Sequence, residues 1–180
     1  MRIKSRTIPM KRFWLSTAIT TVALTLILLL PAAPGDNRNF GAHLKGDEVV
    51  PPRDTHAQGQ VIFQLSKDGD ELDYKLIVAN IENVVAAHIH LGAAGVNGGI
   101  VAFLAGPFPS GGGRVNGVLA EGTITSADLL GTLSGLDLSV LVAAMRTGGT
   151  YALVNTNDGV GPSNTGPGDF PGGETRGQIR

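Results

Sequence analysis

The sequence predicts an all-β domain, and three observations carry that prediction. All 26 glycines fall in residues 34–180, a density of roughly 18% against a usual ~7%, as expected of a chain that reverses direction often. Two neighbouring segments alternate apolar and polar residues with period two around an Asp-Gly turn, the strongest short-range hairpin pattern. One segment alone carries both a start and a stop signal for a helix of several turns.

The elements follow in order. Residues 1–33 stand apart from the fold. Arg2, Lys4, Arg6, Lys11 and Arg12 form a basic leader without an acid, Phe13 to Leu30 is an uncharged apolar run of 18 residues, and Pro31-Ala32-Ala33 follows. That is the layout of an export signal. The run exceeds the ~7–15 apolar residues usual in a cleaved signal and reaches the ~17–25 that span a bilayer. The segment is therefore a signal peptide or an uncleaved N-terminal anchor. Either way the positive flank stays inside and the remainder is exported: secreted, periplasmic or held at the cell surface. Residues 34–39 read as a polar linker, and residues 40–180 as the domain.

Phe40 to Leu44 is the first strand, and Pro51-Pro52 ends pairing because proline lacks a ladder donor. In Gln58 to Leu65, Val61, Phe63 and Leu65 share a face. Lys67-Asp68-Gly69-Asp70 turns the chain into Glu71 to Ala79, where Leu72, Tyr74, Leu76 and Val78 share a face opposite Asp73 and Lys75. Val85 to Leu91 and Ile100 to Leu104 are strands joined by the glycine-rich turn at residues 95–99. Pro107 to Gly113 is a loop, and Val118 to Thr125 a further strand. Thr125 or Ser126 caps a short turn, then Asp137 caps a helix over Leu138 to Thr147 that Gly148-Gly149 stops. Tyr151 to Asn155 and Glu174 to Ile179 are the last strands, separated by a long loop. About eight short strands with one inserted helix predict a Greek-key, immunoglobulin-like β-sandwich.

Charge and composition exclude several functions. Residues 34–180 hold 9 of the 14 Lys and Arg but all 15 acids, so the exported part is acidic and carries no basic run. It is a poor match for nucleic acid or for anionic lipid, which leaves the N-terminal segment, if uncleaved, as its membrane contact. There is no cysteine, so stability must come from the core without a disulfide. No P-loop, dinucleotide fingerprint or nucleophile triad is present, which argues against an enzyme. The segment 155–159 offers oxygens at alternate positions, as Ca²⁺ requires, but position twelve is Gly166 where an EF-hand has Glu.

Ala87-His88-Ile89-His90-Leu91-Gly92 holds two of the four histidines. On a strand His88 and His90 face the same way, and neutral imidazoles at that spacing suit Cu or Zn. The plainer alternative is two rings bonded to nearby loops. Glu174 and Arg176 also share a face. Glu174 is a carboxylate that can complete a histidine site, and the Arg176 fork can hold a carboxylate such as Glu48 in an ion pair that fixes the last strand.

Four features taken in order resemble the chordin domain (CHRD) family. They are Glu48-Val49-Val50-Pro51-Pro52 with Gly59, the His88-Ile89-His90 segment with Gly95 and Asn97-Gly98, Tyr151 opening its strand, and Gly172 to Gln178 at the end. The resemblance covers roughly residues 40–180 and implies an extracellular β-sandwich; it does not imply an enzyme. The chain departs from it twice. There is an extra residue before Pro52, and Asn155 stands where the family often has a histidine. The same His-x-His strand is similar to the copper-binding strand of Cu,Zn superoxide dismutases. Two functional readings follow. One is an exported non-catalytic module that binds an unidentified extracellular protein or surface ligand, with His88 and His90 as a divalent-metal pair. The other is a Cu/Zn-dependent oxidoreductase.

Overall fold

The computed structural model describes residues 37–180, so both readings of the leader over 1–33 lie outside the described residues. Among the described residues no helix is long and apolar enough to cross a membrane. The strands are β1 (Asn39–Lys45), β2 (Gln58–Leu65), β3 (Leu72–Glu82), β4 (Val84–Leu91), β5 (Ile100–Ala105), β6 (Arg114–Ile124), β7 (Thr150–Thr156) and β8 (Thr175–Gln178). One helix, α1 (Leu138–Arg146), lies between β6 and β7.

All eight strands join one sheet in the order β5-β4-β7-β8-β1-β2-β3-β6, and every pairing is antiparallel. The sheet curls until its ends approach. The Tyr74 hydroxyl on β3 donates to the Leu104 carbonyl on β5 at 2.7 Å across the opening. The edge of β5 is covered by the segment before α1, where Leu130 N–H donates to the Val101 carbonyl at 2.9 Å. Covering an edge in this way keeps unpaired backbone groups from recruiting another chain. The all-β expectation is met: eight strands, one helix, and the two walls of the sandwich formed by a single nearly closed sheet.

Alternation decides what lies inside. Val61, Phe63 and Leu65 of β2 and Leu72, Leu76 and Val78 of β3 are buried in the main core, with Ala87 and Ile89 of β4 and Ala152 and Val154 of β7. Each large apolar side chain so buried contributes about 1.5–3 kcal/mol. Leu138, Leu141, Val142 and Met145 add the apolar stripe of α1 to that core. The Asp137 carboxylate accepts from Ser139 N–H at the start of the helix, and Gly148 at φ 66° ends it.

Two elements differ from the sequence expectation. β6 begins at Arg114 rather than Val118, because Gly117 at φ 108° lets the strand bulge and re-pair Val115 with Ile81. A short 3-10 turn at Gly46–Glu48 follows β1. The oxygen-rich segment after β7 forms local turns: Asn157 Oδ1 accepts from Gly159 N–H and Asp158 Oδ1 from Val160 N–H.

Candidate functional site

Sheet order brings β4, β7 and β8 side by side, and their register aligns two rows of side chains. His90 pairs with Tyr151 and Tyr151 with Gln178; His88 pairs with Leu153 and Leu153 with Arg176. These side chains alternate with Ile89, Ala152 and Gly177, so they stand on the outer face, away from the main core. That face is covered. Val49 from the loop after β1 packs with Tyr151 and Leu153 in a second apolar cluster, and the turn over residues 92–99 folds across the end of β4. His88 and His90 are consequently only 7% and 8% exposed.

The turn is held in place by Gly98. Its N–H donates to the Tyr151 hydroxyl at 3.0 Å, and its carbonyl lies 2.9 Å from His90 Nδ1. A carbonyl can only accept, so His90 carries its proton on Nδ1 and leaves Nε2 as a lone pair. A Cβ at residue 98 would lie 1.7 Å from the Leu91 carbonyl oxygen, so only glycine fits.

The two imidazoles meet edge to face, with centroids 5.7 Å apart and planes at 82°. His90 stacks on Tyr151 at 4.9 Å, and His88 lies edge-on to Phe103 at 4.6 Å. Burial, then the neighbouring His90, pushes the His88 pKa down to about 4, against an opposing side-chain hydrogen bond with Asn155. Burial also lowers the His90 pKa; the Gly98 carbonyl opposes that shift and Arg176 adds to it. Both rings are therefore neutral near pH 7, the form that ligates a metal. His88 Nδ1 and His90 Nε2 are buried without a hydrogen-bond partner. Asn155, paired with Ala86, donates Nδ2–H to the Pro171 carbonyl at 2.7 Å, and its buried Oδ1 faces the His88 ring.

Arg176 is 1% exposed. Its guanidinium donates to the Ala93 and Val96 carbonyls at 3.0 Å and to Asn97 Oδ1 at 3.3 Å, and sits 3.6 Å from the Tyr151 ring centroid. The expected ion pair with Glu48 is not formed. Among the described residues the ion pairs are Lys75–Glu121 and Arg114–Glu82. The turn at 93–97 offers Arg176 three neutral oxygens instead, while Glu48 is exposed on the far side of a groove of about 740 Å³ that both residues line. Burial lowers the Arg176 pKa; Tyr151 and Glu48 act in the opposite sense.

Glu174 is fully buried at the bend before β8. It accepts from the Thr55 hydroxyl at 2.6 Å, the Thr156 hydroxyl at 2.7 Å and Gly168 N–H at 3.0 Å. It thereby ties the loop before β2 and the long loop before β8 to the end of β7. Among the described residues no three His, Cys, Asp or Glu side chains are grouped to hold a metal ion. The remaining histidines, His43 and His56, are exposed. Sequence reasoning did not single out Phe103 or Thr55, gave Gly98 no contact, and gave Tyr151 no partner. No local signal could, since these contacts depend on strand order.

A family model described as CHRD domain matches residues 40–179. No curated protein and no solved structure matches the chain.

Proposed function

Because the chain belongs to the CHRD domain family, we propose that it acts as an exported, non-catalytic binding module, and that His88 and His90 hold one metal ion. The basic leader and apolar run of residues 1–33 support export. The acidic exported part supports a protein or surface ligand as partner rather than nucleic acid. Membrane contact, on this reading, is confined to the N-terminal segment.

The observation that carries the metal reading is the pair of buried ring nitrogens without partners, on adjacent outward positions of β4. A buried polar atom left unsatisfied costs about 1–3 kcal/mol, and native structures leave few of them. One ion would satisfy both. With a metal–nitrogen bond of ~2.0 Å, each ring centroid lies roughly 3.2 Å from the ion, which gives a centroid spacing from about 5.2 Å at a tetrahedral angle to about 6.4 Å when linear. The observed 5.7 Å lies between these limits. Asn155 lies beside His88, with which it shares a side-chain hydrogen bond. Glu174 is outside this donor set: its oxygens accept from Thr55, Thr156 and Gly168, and among the described residues it forms no metal-binding group with the two histidines. An oxidoreductase would need further imidazoles at the same ion and an open coordination position, whereas His43 and His56 are exposed and the two rings are covered.

Elemental analysis of protein purified without chelators tests this reading. Near-stoichiometric metal in the native protein, absent from the folded His88→Ala, His90→Ala double variant, is the expected result. Equal metal in both, or none in either after exposure to copper and zinc, overturns it.

A further inference from the structure

We infer that the groove beside β8 binds a peptide carrying charges of both signs, its anionic group toward Arg176 and Arg180 and its cationic group toward Asp47 and Glu48. This rests on the reading of the chain as a non-catalytic binding module and makes no use of the metal. The groove measures about 740 Å³, within the ~300–1,000 Å³ of small-ligand sites. Its titratable lining is Asp47 and Glu48 from the 3-10 turn after β1, His43 from β1, and Arg176 and Arg180 from the last strand and its end. Alternation along this strand sends Arg176, Gln178 and Arg180 to one face. Gly41 holds the backbone of Arg180 through two hydrogen bonds, at 2.9 and 3.1 Å.

Opposite charges lining one groove are free to close on each other unless the backbone prevents it. Here both walls are fixed. Arg176 is bonded to the Ala93 and Val96 carbonyls and to Asn97 Oδ1. On the other wall Val49 and Arg53 N–H both donate to the Gly46 carbonyl, at 3.2 and 2.9 Å, and Val49 is buried against Tyr151 and Leu153. Asn97 joins the walls: its Oδ1 accepts from Arg176, and its Nδ2–H donates to the Val50 carbonyl at 2.8 Å. None of Asp47, Glu48, Arg176 and Arg180 enters an ion pair among the described residues. Glu48 nonetheless raises the Arg176 pKa, so charge is felt from wall to wall. A guanidinium that is 1% exposed and bonded only to neutral oxygens is a desolvated charge without a counterion, which is costly. A ligand carboxylate offsets that cost, and a ligand cation answers the acids opposite. Peptides carry both signs, through termini or side chains. Uronic-acid glycans and nucleic acids carry one sign and meet like charge at Asp47 and Glu48. The exposed amide of Gln60, also in the lining, both donates and accepts, as a peptide backbone requires. Because the frame is already rigid, little ordering is left to oppose binding.

The test is an NMR titration of ¹⁵N-labelled full-length protein with glycine–serine peptides of about three to six residues, roughly 10–20 Å when extended. Their only charges are the terminal ammonium and carboxylate. Binding with Kd on the order of 1–10 mM is expected, with amide shifts at Gly41, Gln60 and Arg180. Acetylating the amine or amidating the carboxylate should weaken it about three- to fivefold. Glu48→Gln and Arg180→Gln should do the same, and both change exposed side chains outside the Asn97 frame. No shift with any length at about 20 mM peptide, or doubly blocked peptides bound equally well, overturns the proposal. Shifts confined to residues outside the groove overturn this site and leave the binding-module reading intact. Oligogalacturonate bound in the groove more tightly than every peptide makes the ligand a glycan and overturns the peptide. Peptide hydrolysed during the titration overturns the non-catalytic reading itself.

Discussion

The Arg176 guanidinium lies 3.6 Å from the centroid of the Tyr151 ring, and β4 and β8 flank β7 so that His90 stacks on the same ring. The residue that closes the candidate site is thus also the one that anchors the turn above it. Replacing Arg176 with Lys keeps the charge but loses the planar fork that reaches Ala93, Val96 and Asn97 together. Arg176→Lys should lower unfolding stability by about 2–4 kcal/mol, read by urea denaturation, and an effect under about 0.5 kcal/mol would contradict this role.

Gly98 and Gly99 are adjacent but not equivalent. A methyl at 98 would collide with the Leu91 backbone, whereas one at 99 meets nothing within 4 Å. Gly98→Ala should cost about 3 kcal/mol or more, because the turn must leave Tyr151 and His90, while Gly99→Ala should stay within about 0.5 kcal/mol. Equal melting temperatures for the two variants would argue that the turn is free to shift.

Glu174→Gln is nearly isosteric but replaces one acceptor oxygen with an amide that donates. Oε2 receives both the Thr156 hydroxyl and Gly168 N–H, and Oε1 receives the Thr55 hydroxyl, so an amide nitrogen at the Oε2 position faces the Gly168 donor, and one at the Oε1 position forces the Thr55 hydroxyl to turn and accept. A loss of about 1–3 kcal/mol is expected, together with faster amide exchange at Gly168. Unchanged exchange there would show that Glu174 does not hold the long loop.

Metal-free protein should lose stability in mild acid. His88 has a folded pKa of about 4 against 6.5 for the free side chain, and His90 shifts in the same direction. A ring with a lowered folded pKa takes up its proton more readily after unfolding. Its contribution to stability is therefore complete above pH 6.5 and is lost as pH falls to about 4. His88→Gln should flatten the fall in melting temperature across that interval. A profile identical to that of the unmodified protein would contradict the burial-driven shift.

The hairpin of β2 and β3 was legible because its alternation and its turn are local. The start of β6 was not, since a bulge at Gly117 interrupts the period. The candidate site was legible as residue types but not as a constellation. His88 and His90 share a face by strand geometry alone. That Tyr151 lies against one of them and Arg176 against Tyr151 depends on β4, β7 and β8 becoming neighbours, a long-range choice that no local pattern encodes. Glu48 and Arg176 illustrate the limit: opposite charges in conspicuous motifs implied an ion pair, but the turn at 93–97 reached the guanidinium first. Asn155, noted in the sequence as a missing histidine and as the first residue of an oxygen-rich segment, pairs with Ala86 and shares a side-chain hydrogen bond with His88.

The central claim is that one ion joins His88 and His90, and nitrogen-resolved NMR of ¹⁵N-histidine-labelled protein tests it most directly. Zn²⁺ is diamagnetic, so the rings remain visible when it is added. The account predicts that His90 Nε2 and His88 Nδ1 both move from free to coordinated resonances at one equivalent, while His90 Nδ1 keeps its proton to Gly98. Ring resonances of both residues left unchanged at saturating metal would contradict it.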